Sequence, residues 1–422
     1  MQRLSRRAFL SGAAGAGFAL GAAGTLTACG GSGSTGLTAN PRLPAAASLT
    51  WPLTPANPPL RGGLAPETGA TLRLLTWPSY VSPAVAAEFG RTYRCAVDVT
   101  TVATPAELLT RLRSGSRYDV IAGASVSTLA SLAGGELIQP LNHAYLPDQS
   151  AIWSLLRSPY YDQGARYTVP TGVYTTGIAW RTDKVPGSPY ELTSGWQFAW
   201  QPKYRDRVGI LDDYRAGVGL GLLATGSLNL NTADPGDLNQ AQRALASLIG
   251  GRAGRIDSAA ARSLTAGRTW IHQATSAQIT AAARSAVAAA AHVTGRSATA
   301  APGTGQGGAP LGYWFPPSGY GPVACEVGAV VRGASSPVLA HAFLDFSLKL
   351  PNALANAAVN GRTPPLSAAT PRLLVDQGVV PGSLASTVIL QEELRRGLVE
   401  LPLPPAADGL WLRAWRDVGG LA

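Results

Sequence analysis

Between Leu72 and Leu137 the chain alternates short apolar runs with amphipathic stretches, separated by turns of a few residues. That rhythm allows few folds. Strands joined through helices by short turns call for a parallel sheet with right-handed crossovers. The first unit is the clearest: Leu72, Leu74 and Leu75 read as a buried strand and Pro78 stops it. Ser82-Pro83 then opens a helix with Val85, Ala86 and Phe89 on one face. Trp77 and Tyr80 therefore stand at the C-terminal end of a first strand, the edge where open α/β sheets bind ligands. Aromatics there serve as wall or core packing just as readily. Residues 96–100 alternate as a second strand, and Thr104-Pro105-Ala106-Glu107 is a capping box leading into Leu108, Leu109 and Leu112. Residues 118–123 form a third strand, and the spacing predicts a helix over 126–137.

Ahead of this region, Ser5-Arg6-Arg7-Ala8-Phe9-Leu10 is a twin-arginine export signature followed by an apolar Gly/Ala-rich run. The run closes in Leu26-Thr27-Ala28-Cys29, which resembles a bacterial lipoprotein signal. The expectation is a signal peptide over 1–28, lipidation at Cys29, and anchorage at the outer face of the cell membrane. Residues 29–69, rich in Gly, Ser, Thr, Pro and Ala, read as a flexible tether. No later stretch approaches 18 apolar residues without charge or proline.

Charge narrows the partners. The formal net charge is +10, and loss of Arg3, Arg6 and Arg7 with the signal leaves +7. The arginines are scattered and do not interleave with aromatics, which argues against a nucleic-acid partner. Three cysteines and four scattered histidines offer no zinc spacing, so no metal or cofactor is expected. With Cys29 lipidated, Cys95 and Cys325 would sit in a compartment that permits a disulfide.

Farther on, residues 167–170 and 176–180 read as extended segments and 208–211 as a short strand ending in Asp212-Asp213. The glycines of residues 217–221 lack the Lys-Ser/Thr of a phosphate loop and read as a closely packed helix. Residues 276–294 form an alanine-rich helix, 295–310 a low-complexity surface loop, and 323–331 a strand carrying Glu326. Ser336-Pro337 opens a helix with Leu339, Phe343, Phe346 and Leu350.

The order of these pieces resembles the periplasmic spermidine/putrescine-binding proteins of ABC importers, from about Leu72 to the C-terminus. The match runs through Trp77 and Tyr80, residues 118–121, 167–170, Leu211-Asp212-Asp213, the Glu326 strand and Gly361-Arg362-Thr363-Pro364-Pro365. It implies an α/β, two-lobed periplasmic-binding-protein (type II) fold, with mixed sheets and a ligand cleft between the lobes. One lobe would hold 70–175 and 326–365, the other 176–325 and 366–422. By the same resemblance Trp77 and Tyr80 would sandwich the ligand, and Asp213 and Glu326 would pair its ammonium groups. Asp213 serves equally as a helix N-cap. Several positions depart from the family: Ser79 replaces an acid, Gly123 and Ser125 stand where aromatics are usual, and Arg362 replaces a tyrosine. A polyamine is thus one reading, and a zwitterionic or anionic solute held by Arg362 is another. The implied partners are a small-molecule solute and an ABC permease, with the receptor a monomer. A secreted hydrolase is a weaker alternative, since no Gly-x-Ser-x-Gly or His-Glu-x-x-His occurs. A ligand-free interaction protein of the same fold is a third.

Overall fold

The computed structural model describes residues 48–115, 117–250, 255–294 and 310–419. Its first part follows the expected alternation: β1 (Thr71–Thr76), α1 (Pro83–Tyr93), β2 (Ala96–Thr101), α2 (Pro105–Arg113) and β3 (Val120–Ser125). Thr104 caps α2 through the Glu107 N–H at 3.1 Å, and the Glu107 carboxylate returns to the Ala103 N–H at 2.9 Å. The helix expected over 126–137 is shorter. A 3-10 turn leads into α3 (Leu129–Ala133), and the chain leaves it at Gly134 and Gly135.

The next strand corrects the sequence reading. The two extended segments form one 13-residue strand, β4 (Val169–Arg181). There follow β5 (Val208–Gly209), α4 (Tyr214–Ala224), α5 (Pro235–Ile249), α6 (Ala260–Thr265), β6 (Ile271–Thr275) and α7 (Ser276–Thr294). The chain resumes in β7 (Leu311–Trp314) and β8 (Val323–Val330). It ends in α8 (Pro337–Leu348), α9 (Leu350–Asn360), α10 (Pro371–Asp376), α11 (Gln391–Arg396) and α12 (Pro405–Asp417).

Strand order is β2-β1-β3-β8-β4-β6-β5, with β7 also on β4. The β1 pairings with β2 and β3 are parallel, and β8 then enters antiparallel between β3 and β4. β4 changes partners along its length: Val169 to Thr175 pairs with β8, and Thr176 to Arg181 pairs with β6 and β7. The sheet is therefore mixed.

Two apolar cores flank this strand. In one, Leu72, Leu74 and Leu75 pack with Phe89, whose ring meets Phe343 edge-on at 5.2 Å. In the other, Trp411, Trp415 and Phe198 gather over Ile178 and α4. The glycine run belongs to this second core. A Cβ at Gly217 would lie 2.0 Å from the Trp415 ring, and one at Gly221 would lie 2.6 Å from the Ala241 carbonyl. These glycines let α4 approach α5 and α12, as a packing helix requires.

The tether expectation fails from residue 48 onward. Leu49 exchanges backbone hydrogen bonds with Tyr160 and Gln163, and Trp51 Nε1 donates to the Tyr161 carbonyl at 2.8 Å. Asn57 donates to the Ile138 carbonyl, and the Glu67 carboxylate accepts from the Val338 and Leu339 N–H groups at the start of α8. A Pro-rich composition hid a segment held by side chains far away in sequence. The signal, Cys29 and residues 295–309 lie outside the described residues. Cys95 and Cys325 are both free thiols.

Candidate functional site

The chain from Trp77 to Tyr80 is a tight turn closed by the Tyr80 N–H on the Trp77 carbonyl, with Ser79 at φ 56. It turns Tyr80 inward. The ring is buried, and its hydroxyl shares a 2.8 Å hydrogen bond with Thr171 on β4. Gly123 makes room for it: a Cβ there would lie 2.5 Å from the Tyr80 ring, and its φ of 85 favours glycine in any case. Trp77 Nε1 donates to the Gly123 carbonyl. Ser79 faces a separate shallow groove along α1.

Glu326 sits on β8 opposite Ser125 of β3 and Gly172 of β4, only 6 % exposed. An acid so placed needs a partner. Arg362 supplies it through two hydrogen bonds, Nη2 to Oε1 at 2.8 Å and Nε to Oε2. The guanidinium also donates to the Asn360 carbonyl and stands 4.7 Å from the Tyr80 ring centre and 5.9 Å from that of Tyr174. Burial opposes its charge, but the Glu326 charge and hydrogen bonds outweigh that and hold its pKa above the ordinary value. Burial, reinforced by Glu326, raises both tyrosines, so they stay neutral. The residues read as alternatives, an acid for an amine and a cation for an acid, meet each other instead.

Beside this cluster opens a cleft of about 890 Å³. Ser125, Tyr160, Tyr174, Asp212, Asp213, Tyr320, Cys325, Arg395, Arg396 and Glu400 are among its lining residues. Asp213 is both the N-cap of α4, accepting the Ala216 N–H at 2.9 Å, and an exposed carboxylate on the cleft wall. Burial, then the charges of Asp213 and Asp257, push Asp212 up. Cys325 meets the Tyr161 hydroxyl at 3.3 Å, and burial pushes its thiol up to about 12.

Sequence reasoning missed Glu400, as it missed the cleft tyrosines Tyr160, Tyr174 and Tyr320. Residues 397–401 are strapped in place: the Leu398 carbonyl accepts from the Val323 N–H, the Leu398 N–H donates to the Gly321 carbonyl, and Asn231 holds both Val399 and Leu401. Arg215 anchors the same strap through the Leu401 carbonyl at 2.9 Å. Glu400 is thereby set in the cleft wall. Desolvation by the walls and then the Asp213 charge push its carboxyl up to about 7, with Arg215 pulling the other way. The available signal was an acid inside the apolar run Leu398-Val399-Glu400-Leu401, the same cue that singled out Glu326.

Of the expected site residues, the structure brings Ser125 and Asp213 to the cleft. It gathers Tyr80, Gly123, Glu326 and Arg362 into the adjoining cluster, with Trp77 bonded behind it. Ser79 lies elsewhere.

Known proteins can now be set beside this geometry. A family model for bacterial extracellular solute-binding proteins matches residues 84–376. Spermidine/putrescine-binding periplasmic protein 1 of Haemophilus influenzae is 30 % identical over 182 residues, 42 % of this chain and 49 % of the relative. The chain thus spans about half the length of that curated relative. A spermidine/putrescine ABC transporter substrate-binding protein from Streptococcus pneumoniae superposes with a TM-score of 0.65 at 19 % identity, covering 83 % of this chain and 99 % of its own. The TpPotD lipoprotein of Treponema pallidum gives 0.62 at 20 %, covering 82 % and 99 %. With its two-lobed α/β fold, the chain belongs to the bacterial extracellular solute-binding proteins.

Proposed function

We propose that this protein is the receptor of an ABC importer that captures a small amine-bearing solute, of polyamine type, in the cleft and delivers it to a permease. The observation that carries the reading is the gathering of Asp212, Asp213 and Glu400 with Tyr160, Tyr174 and Tyr320 around one cavity. Carboxylates pair ammonium groups, and tyrosine faces hold the cationic and methylene parts of such a solute. The Haemophilus and Streptococcus proteins are named for spermidine and putrescine, which supports the same reading. An anionic solute held by Arg362 is disfavoured, because that guanidinium is already engaged by Glu326.

The receptor binds without turnover, works as a monomer, and is held to the outer face of the cell membrane through lipid on Cys29. Its lobes divide at residues 175/176, 325/326 and 365/366, the first of which is where β4 changes partners. Closure of one lobe on the other would trap the solute.

The test is calorimetry and thermal shift on the chain from Leu43, against putrescine, spermidine, 4-aminobutyrate and succinate. Amines should raise the melting temperature, and Asp213→Asn should weaken them. A response confined to succinate refutes the reading. A response strongest for 4-aminobutyrate supports a zwitterion instead, its acid taken by Arg395 and Arg396 on the same cleft.

A further inference from the structure

We propose that Arg362 is a built-in cation that fills a second cation subsite next to the cleft, and so sets how many charges the solute carries. The inference rests on the amine-receptor reading above and deepens it.

The surroundings of the Arg362 guanidinium are those that would hold an amine-type ligand. A carboxylate meets it with two hydrogen bonds, two tyrosine faces flank it, and a carbonyl accepts a third of its five N–H groups. Gly172 leaves room for its stem, since a Cβ there would lie 3.0 Å from Arg362 Cβ. The space left beside Arg362 and Tyr80 is about 30 Å³, enough for about one water molecule. The cage is full.

It also adjoins the cleft. Tyr174 lines the cleft and flanks the guanidinium, and Ala324 and Cys325, next to Glu326 on β8, line it as well. A solute extending from Asp213 and Glu400 toward Tyr174 therefore finds the carboxylate at that end, Glu326, already paired with Arg362. Arg362 leaves a second or third ammonium without a counter-charge there and favours a solute charged at one end only. An ion pair kept for stability alone would make no such distinction, so the two roles can be separated.

The experiment uses the whole chain with Arg362→Ala. Removing the guanidinium leaves Glu326 buried without a partner, and the melting temperature should fall. Ethylguanidinium chloride at millimolar concentration should restore it, whereas sodium chloride at the same concentration should not, and neither should act on the wild type. If the variant folds poorly, recovery of folded protein with ethylguanidinium against sodium chloride is the same readout. Cleft selectivity is measured in parallel: the affinity for spermidine relative to butylamine should rise about tenfold in Arg362→Ala. Adding Glu326→Gln should abolish both the rescue and the gain. Failure of ethylguanidinium to rescue overturns the cage. Rescue with no amine binding by either protein leaves the cage standing and refutes the receptor reading. Rescue with unchanged selectivity overturns the specificity role.

Discussion

Replacing Glu400 with glutamine tests whether the cleft stores electrostatic strain. The Glu400 carboxyl rises from its ordinary 4.5 to about 7 because the cleft walls desolvate it and Asp213 stands nearby. Unfolding returns it to the ordinary value. Between these two limits the folded chain binds more protons than the unfolded one, so stability falls as pH rises. This contribution is most favourable below 4.5 and is lost as pH passes about 7. At about 1.4 kcal/mol per pH unit the full rise corresponds to about 3 kcal/mol. Glu400 is open to water on the cleft side, and screening there reduces the effect to about 1–2 kcal/mol. Urea unfolding of wild type and Glu400→Gln at pH 5 and pH 8 measures it. The wild type should lose about 1–2 kcal/mol more than the variant between those values. Asp345, also raised mainly by burial, to about 6, titrates alike in both proteins and cancels. Parallel stability curves would refute the reasoning. A bound ammonium reverses the strain, so binding near pH 7 should also release protons, read as a buffer-dependent heat.

Asp213→Asn keeps a good helix cap and removes only charge, so stability should move by less than about 0.5 kcal/mol while amine affinity falls about tenfold by calorimetry. Glu326→Gln leaves Arg362 buried without its counter-charge and should cost about 3–5 kcal/mol in urea unfolding. Gly361→Ala places a Cβ 2.1 Å from the Ala277 carbonyl at a φ of 73, and should destabilise by about 2 kcal/mol or more by the same method. A chain begun at Gly69 loses the Trp51, Asn57 and Glu67 contacts and should melt at least about 4 °C below one begun at Leu43.

Much of the first half of the fold was legible because its signals are local. Leu72, Leu74 and Leu75, the Ser82-Pro83 start and the Thr104 cap each act within a few residues of chain. The tight α4 packing was legible too, since a run of glycines with no phosphate-loop partner has few other uses. What stayed hidden depends on contacts across long separations. Residues 48–69 have loop composition, and partners far away in sequence, Tyr161, Ile138 and α8 among them, hold them. The Glu326–Arg362 pair spans 36 positions, so the sequence offered two charges without saying that each satisfies the other. Glu400 carries the same cue as Glu326, an acid among apolar residues, but no family resemblance points to it. Asp213 was legible as a helix N-cap from its place at the head of α4, and its carboxylate also lies on the cleft wall.

The insertion of β8 between β3 and β4 has a kinetic consequence. Ribosomes make about 5–20 residues per second, so β3 and β4 exist for roughly ten seconds or more before Val330 is added. During that time each presents an edge of unpaired backbone groups, and the first core lacks the strand that joins its halves. The closing step joins segments far apart in the chain and so is slow relative to helix formation. A fragment ending before Val323 should therefore remain open and self-associate, whereas the same residues within the complete chain become the middle of a sheet.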